Sequence, residues 1–160
     1  LALPTLLTNW LPITFQSETY QLFFYAAFQA VFLAYIASKI MRYLMSARKI
    51  DSEMIYAAIC LYLLVGLVWA VTYFAVVLLD PNAIGLVLSI DRVTVLNAPV
   101  ILQELVYFSY VTQTTLGYGD ISPVSGVARA IVISQSLFGQ IYIAVIVARL
   151  VGLQVATADN

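Results

Sequence analysis

The sequence predicts an all-α membrane protein, with three spanning helices and one shorter re-entrant helix. Three observations predict it. Of the 160 residues, 63% are hydrophobic and 9% are charged, whereas a soluble domain carries about a quarter charged and about half apolar residues. Three charge-free runs, Thr19–Ser38, Met54–Leu79 and Ala130–Ala148, approach or exceed the roughly 20 residues that cross a bilayer core. A fourth apolar stretch, 99–114, carries only Glu104 and is too short to cross. Such a segment persists in a membrane only where protein buries it or water lines it.

The same figures remove other classes. With no His there is no imidazole base, no Ser-His-Asp triad and no His metal ligand. The single Cys, Cys60, makes neither an intrachain disulfide nor a thiolate zinc site, and reads as a small packing residue. A net charge of −1 with seven basic residues argues against a nucleic-acid partner.

The elements follow in order. Residues 1–18, with Trp10, Pro4 and Pro12, are expected at the outer surface. Residues 19–50 form an additional transmembrane helix with a basic end: Lys39, Arg42, Arg48 and Lys49 cluster before the second run, which places that end in the cytoplasm. Anionic lipid headgroups are a candidate partner for the cluster. Its charges sit at the inner end, where they cross little of the membrane field, so weak or absent voltage sensing is expected. Tyr20, Phe24, Phe28 and Phe32 recur every fourth residue, a stripe for lipid or helix packing.

Residues 51–160 form the second unit. An outer helix, 54–79, ends at the turn signal Asp80-Pro81-Asn82. An outer loop, 80–98, follows, and its Val- and Leu-rich part, 86–96, is either extended or packed at a rim. Asn97 before Pro99 starts the re-entrant helix, 99–114. The last helix, 128–153, returns to the cytoplasm, and Arg149 near its inner end agrees.

Thr114-Thr115-Leu116-Gly117-Tyr118-Gly119-Asp120 directly follows the re-entrant helix. Its glycines adopt left-handed backbone angles without a Cβ penalty. Alternating right- and left-handed residues turn successive carbonyl oxygens to one side, a ligand set for a dehydrated hard cation. The preceding helix aims its partly negative C-terminal end at the membrane centre, where a cation is least stable.

This segment resembles the selectivity filter of the tetrameric potassium-channel pore family, whose pattern is Thr-Val-Gly-Tyr-Gly-Asp; here it reads Thr115-Leu116-Gly117-Tyr118-Gly119-Asp120. The resemblance extends over about Met54 to Gly152: outer helix, pore helix, filter and inner helix. It implies passive conduction of K+ without a soluble cofactor or enzymatic activity. Potassium would be held by the carbonyls of Thr115, Leu116, Gly117 and Tyr118 and by the Thr115 hydroxyl. Each chain offers about two oxygens per ion level, and a full shell takes about eight, so a homotetramer is implied. Gly119, Asp120 and Thr114 would support the filter. Tyr107 and Phe108 stand where many members carry paired aromatics that form a cuff around it. Arg129 occupies a familiar basic position, as rim partner or interface anchor.

Two positions depart from the pattern. Leu116 replaces Val, with its carbonyl still available to an ion. Val111 stands where some members have an acid, which removes a carboxyl partner for Asp120.

The inner helix would line the cavity with Ser136, Gln140, Ile143 and Val147, which share one face. Ile143 and Val147 would close an apolar gate by dewetting. Gly139 matches the family's inner-helix hinge, and close helix packing is an equal use for it. Ser136 and Gln140 have the alternative of bonding neighbouring helices.

Three competitors stand beside a potassium channel: a weakly selective monovalent cation channel, a pore-like subunit silent on its own, and an intramembrane aspartyl protease. The last is suggested by Gly117-Tyr118-Gly119-Asp120 but needs two aspartates facing each other within spans. Asp120 is followed by Ile121-Ser122-Pro123, and Asp80 and Asp91 lie in the outer loop. A regulatory domain or subunit outside this sequence is a further candidate partner.

Overall fold

The computed structural model describes residues 18–46, 52–85, 94 and 97–158. The opening stretch, Arg48, Lys49 and most of the 86–96 loop lie outside the described residues.

Four helices account for nearly all of the described chain. Helix α1 is Glu18–Ser46, α2 is Ser52–Leu79, α3 is Ala98–Gln113 and α4 is Gly126–Ala158. Three of them, over Tyr20–Ser46, Ser52–Leu79 and Gly126–Gly152, are long and apolar enough to cross a membrane. The fourth, α3, has 16 residues. At 1.5 Å per residue it is about 24 Å long, short of the roughly 30 Å hydrocarbon core. The expected all-α membrane architecture is therefore present: outer helix, short helix and inner helix, preceded by one more long helix.

Two helices outrun their apolar runs. α1 continues two turns past Ser38 because nothing in Lys39–Ser46 breaks a helix, and its charges find local partners. The Lys39 ammonium lies over the Tyr35 ring, 5.1 Å from the centroid. Arg42 Nε donates to the Ser38 carbonyl at 3.4 Å. α4 begins at Gly126, where the Ser125 hydroxyl accepts the Ala128 N–H at 3.1 Å, a side-chain N-cap.

The start of α3 differs from the sequence expectation. Asn97 occupies the cap position, but its side chain makes no cap bond to the helix. Its Oδ1 instead accepts the Thr94 N–H at 2.7 Å. The amide closes the loop before the helix, and Pro99 removes one of the N–H groups that a cap would have had to satisfy.

Two short strands pin the chain just after α2 to the chain just before α4. β1, Ile84–Gly85, pairs antiparallel with β2, Ser122–Pro123. The turn before β1 is closed by Asn82 N–H donating to Asp80 Oδ1 at 3.0 Å, as the Asp-Pro-Asn signal implies. At the opposite end Arg149 Nη2 donates to the Met45 carbonyl at 2.7 Å, so the late parts of α1 and α4 lie side by side.

Packing divides along α2. An outer apolar cluster joins Tyr73, Phe74, Val77 and Leu78 to Ile101, Leu105, Phe108 and Ile121. An inner one joins Met54, Ala58, Leu61 and Val65 to Leu44, Tyr142 and Ile146. α2 is apolar all round, on the faces its neighbours cover and equally on the exposed face that carries Ile55, Ile59, Leu63 and Leu67. α1 sits at the margin, with Tyr20, Phe24, Phe28 and Phe32 all exposed. Cys60 is exposed as well, contrary to its reading as a packing residue.

Candidate functional site

The segment after α3 folds back on the helix that precedes it. Thr115 N–H donates to the Thr112 carbonyl at 3.0 Å, and Leu116 N–H to the Val111 carbonyl at 3.0 Å. Gly117 N–H reaches the same Val111 carbonyl at 3.4 Å. The last turn of α3 thus takes up the amide hydrogens of Thr115, Leu116 and Gly117. Those carbonyls would otherwise be orphans at a helix C-terminus.

The backbone alternates in hand. Thr115, Gly117 and Gly119 have φ of 58°, 59° and 82°, while Leu116 and Tyr118 between them are not left-handed. A β-branched threonine at positive φ is an outlier that needs its surroundings to hold it. The Thr115 hydroxyl supplies part of that hold. It donates to the Thr114 carbonyl at 2.6 Å and accepts from Gln140 Nε2 at 3.2 Å. At Gly117 and Gly119 an added Cβ would meet nothing within 4 Å. Glycine is required there by the backbone angle, not by space.

Asp120 is anchored at the end of the segment. Tyr107 Oη donates to its Oδ2 at 2.7 Å, and Ile121 N–H donates to its Oδ1 at 3.0 Å. The Tyr107 bond, seconded by the backbone N–H, holds the Asp120 carboxyl below its ordinary range. The same bond pushes the Tyr107 phenol up to about 12. Val111, in place of an acid, leaves Asp120 with a phenol for a partner.

The remaining predicted residues scatter. Phe108 is buried against Tyr73, ring centroids 5.0 Å apart, and belongs to the apolar core. Thr114 Oγ1 returns to the Tyr110 carbonyl at 2.7 Å. Ser136 Oγ bonds within its own helix to Val132. Ile143 and Val147 are exposed on α4. Gly139 faces the main-chain carbonyl of Gln113, where a Cβ would overlap the oxygen. Arg129 Nε approaches the Pro123 carbonyl at 3.4 Å on the rim.

Sequence reasoning missed the polar residues behind the segment. Ser109, Gln113 and Gln135 are fully buried, and Tyr73 is too. Uncharged Gln and Ser do not interrupt an apolar run, so only their number within one turn of each other gave a signal. Gly66 was missed too: a Cβ on it would strike the Tyr110 ring, so glycine lets α3 approach α2. Unsatisfied polar groups in hydrocarbon cost several kcal/mol each, and the four buried side chains all have partners.

Residues 84–154, from β1 into α4, match a family model described as an ion channel. The matched stretch is thus similar to an ion channel. It contains the short helix, the glycine-punctuated return and most of the inner helix. The curated proteins give no match to the chain, and neither do the solved structures. Within the matched stretch, residues 114–120 are exposed throughout.

Proposed function

We propose that the chain forms a potassium-selective channel as a homotetramer, conducting K+ passively through a filter built from Thr115, Leu116, Gly117 and Tyr118. The observation that carries this reading is the alternating hand at Thr115, Gly117 and Gly119. A backbone that alternates in this way stacks carbonyl oxygens along one side, as ligands for a desolvated cation. The amide hydrogens of Thr115, Leu116 and Gly117, by contrast, are engaged by α3.

Exposure supports the assembly. Leu116 and Tyr118 are 55% and 67% exposed on a single chain, a large apolar surface to leave beside a polar strip, and neighbouring copies would cover it. Ser136 and Gln140 would face the cavity. Ile143 and Val147 would narrow its inner end. Asp120 would add negative potential at the outer mouth. The C-terminal end of α4 would lie in the cytoplasm of a cell membrane, with Lys39 and Arg42 among anionic headgroups. The ion-channel match favours a pore over a protease.

The test is electrical. Purified protein in planar bilayers, under opposed K+ and Na+ gradients, is expected to reverse near the potassium equilibrium potential. Reversal near zero would assign a weakly selective cation channel instead, and absence of current would assign a subunit silent on its own.

A further inference from the structure

Between the two apolar clusters lies a set of polar side chains with no part in the filter itself. Tyr73 on α2 donates its hydroxyl to Gln135 Oε1 on α4 at 2.5 Å. Gln135 Nε2 donates to the Ser109 carbonyl on α3 at 2.9 Å and contacts Ser109 Oγ at 2.8 Å. Ser109 Oγ in turn donates to the Gly66 carbonyl on α2 at 2.7 Å. One turn on, Gln113 Nε2 donates to the Tyr62 carbonyl at 2.7 Å, and Tyr62 Oη returns a bond to the Gln113 carbonyl at 3.3 Å. Gln135 Nε2 also lies 3.5 Å from Gln113 Oε1.

The arrangement has a direction. Both α3 members, Ser109 and Gln113, sit in its last turns, and Gln113 is followed at once by Thr114-Thr115. Those turns also supply the carbonyls that hold the amides of Thr115, Leu116 and Gly117. The bonds to α2 and α4 therefore fix the piece of backbone on which the filter hangs. No carboxylate or ammonium takes part, since all five side chains are amides or hydroxyls. Val111, where an acid would have braced the filter from its outer side, offers nothing polar.

We infer that Gln135 and Gln113 are positioning residues for ion selectivity: they clamp the last turns of α3 between the outer and inner helices and so set the spacing of the filter carbonyls. This rests on the proposed potassium filter. Removing the clamp leaves apolar packing above and below it intact, so the chain still assembles. The filter, held only by its own return bonds, then relaxes and admits Na+.

The experiment compares wild type with Gln135→Leu and Gln113→Leu in planar bilayers. Assembly is checked by size-exclusion chromatography, and thermal unfolding is followed in K+ and in Na+. The expected result is an assembled channel whose K+/Na+ permeability ratio falls at least tenfold and whose extra thermal stability in K+ over Na+ is lost. Tyr73→Phe keeps the volume and deletes one donor, so it is expected to assemble even where the leucine variants do not, and to lower the ratio several-fold. Variants that assemble with an unchanged ratio overturn the inference. A wild type that does not discriminate K+ from Na+ overturns the filter reading instead.

Discussion

Gly139 of the inner helix packs against the main-chain carbonyl of Gln113, so closely that a methyl group at position 139 would overlap its oxygen. The contact joins α4 to the end of α3, just before the glycine-punctuated segment begins. Helix α4 runs unbroken through the glycine. The close approach is of the kind that small residues allow between membrane helices.

Gly139→Ala is therefore expected to displace α3 rather than stiffen α4. Overpacking of this kind costs about 1–3 kcal/mol. A lowered unfolding temperature together with a lowered K+/Na+ permeability ratio is the expected result. Unchanged stability with altered open probability alone would favour the hinge reading.

Gly117→Ala meets no neighbour, yet forces an L side chain into left-handed backbone. The cost is about 1–2 kcal/mol per chain, and the expected outcome is loss of selective conduction. Gly126→Ala provides the contrast. It too has open space, but its angle is not left-handed. It is expected to leave single-channel current and stability unchanged.

Tyr107→Phe removes the hydroxyl that reaches Asp120 and keeps the ring. Current is expected to decline several-fold faster under sustained recording, because the segment ending at Asp120 loses its tether. Asp120→Asn is expected to produce the same decline and, by removing a negative charge at the mouth, a lower conductance at low salt. Equal decline rates in wild type and Tyr107→Phe would detach this pair from filter stability.

The same pair fixes the sign of a pH effect. The folded-state pKa of Asp120 is depressed, so its contribution is present above the ordinary carboxylate value and is lost only as pH falls through the lowered one. Tyr107 stays protonated until pH nears 12. The difference in decline rate between wild type and Asp120→Asn is thus expected to stay constant from about pH 5 through the neutral range. It is expected to close in stronger acid. A difference that titrates near neutrality would contradict the bond.

Much of the scaffold was legible in the chain because a bilayer enforces simple rules. Charge-free length marks a crossing, and 16 residues of α3 cannot make one. Glycine spacing at 117 and 119 announces a backbone that needs left-handed angles. Thr115 was not legible in that respect, since its positive φ follows from the bonds that hold it.

What the sequence by itself determined was the number and apolar nature of the helices and the place of the glycine-punctuated segment, because solvation by lipid acts on each stretch independently. Only tertiary structure decided that Tyr107 would serve Asp120 and that Phe108 would turn to the core. It also decided that Gly66 and Gly139 would admit α3 between two helices, and that Ser109, Gln113 and Gln135 would meet. Hydrogen bonds and close contacts depend on ångström-scale distances between residues far apart in the chain, and those distances exist only once the helices have packed.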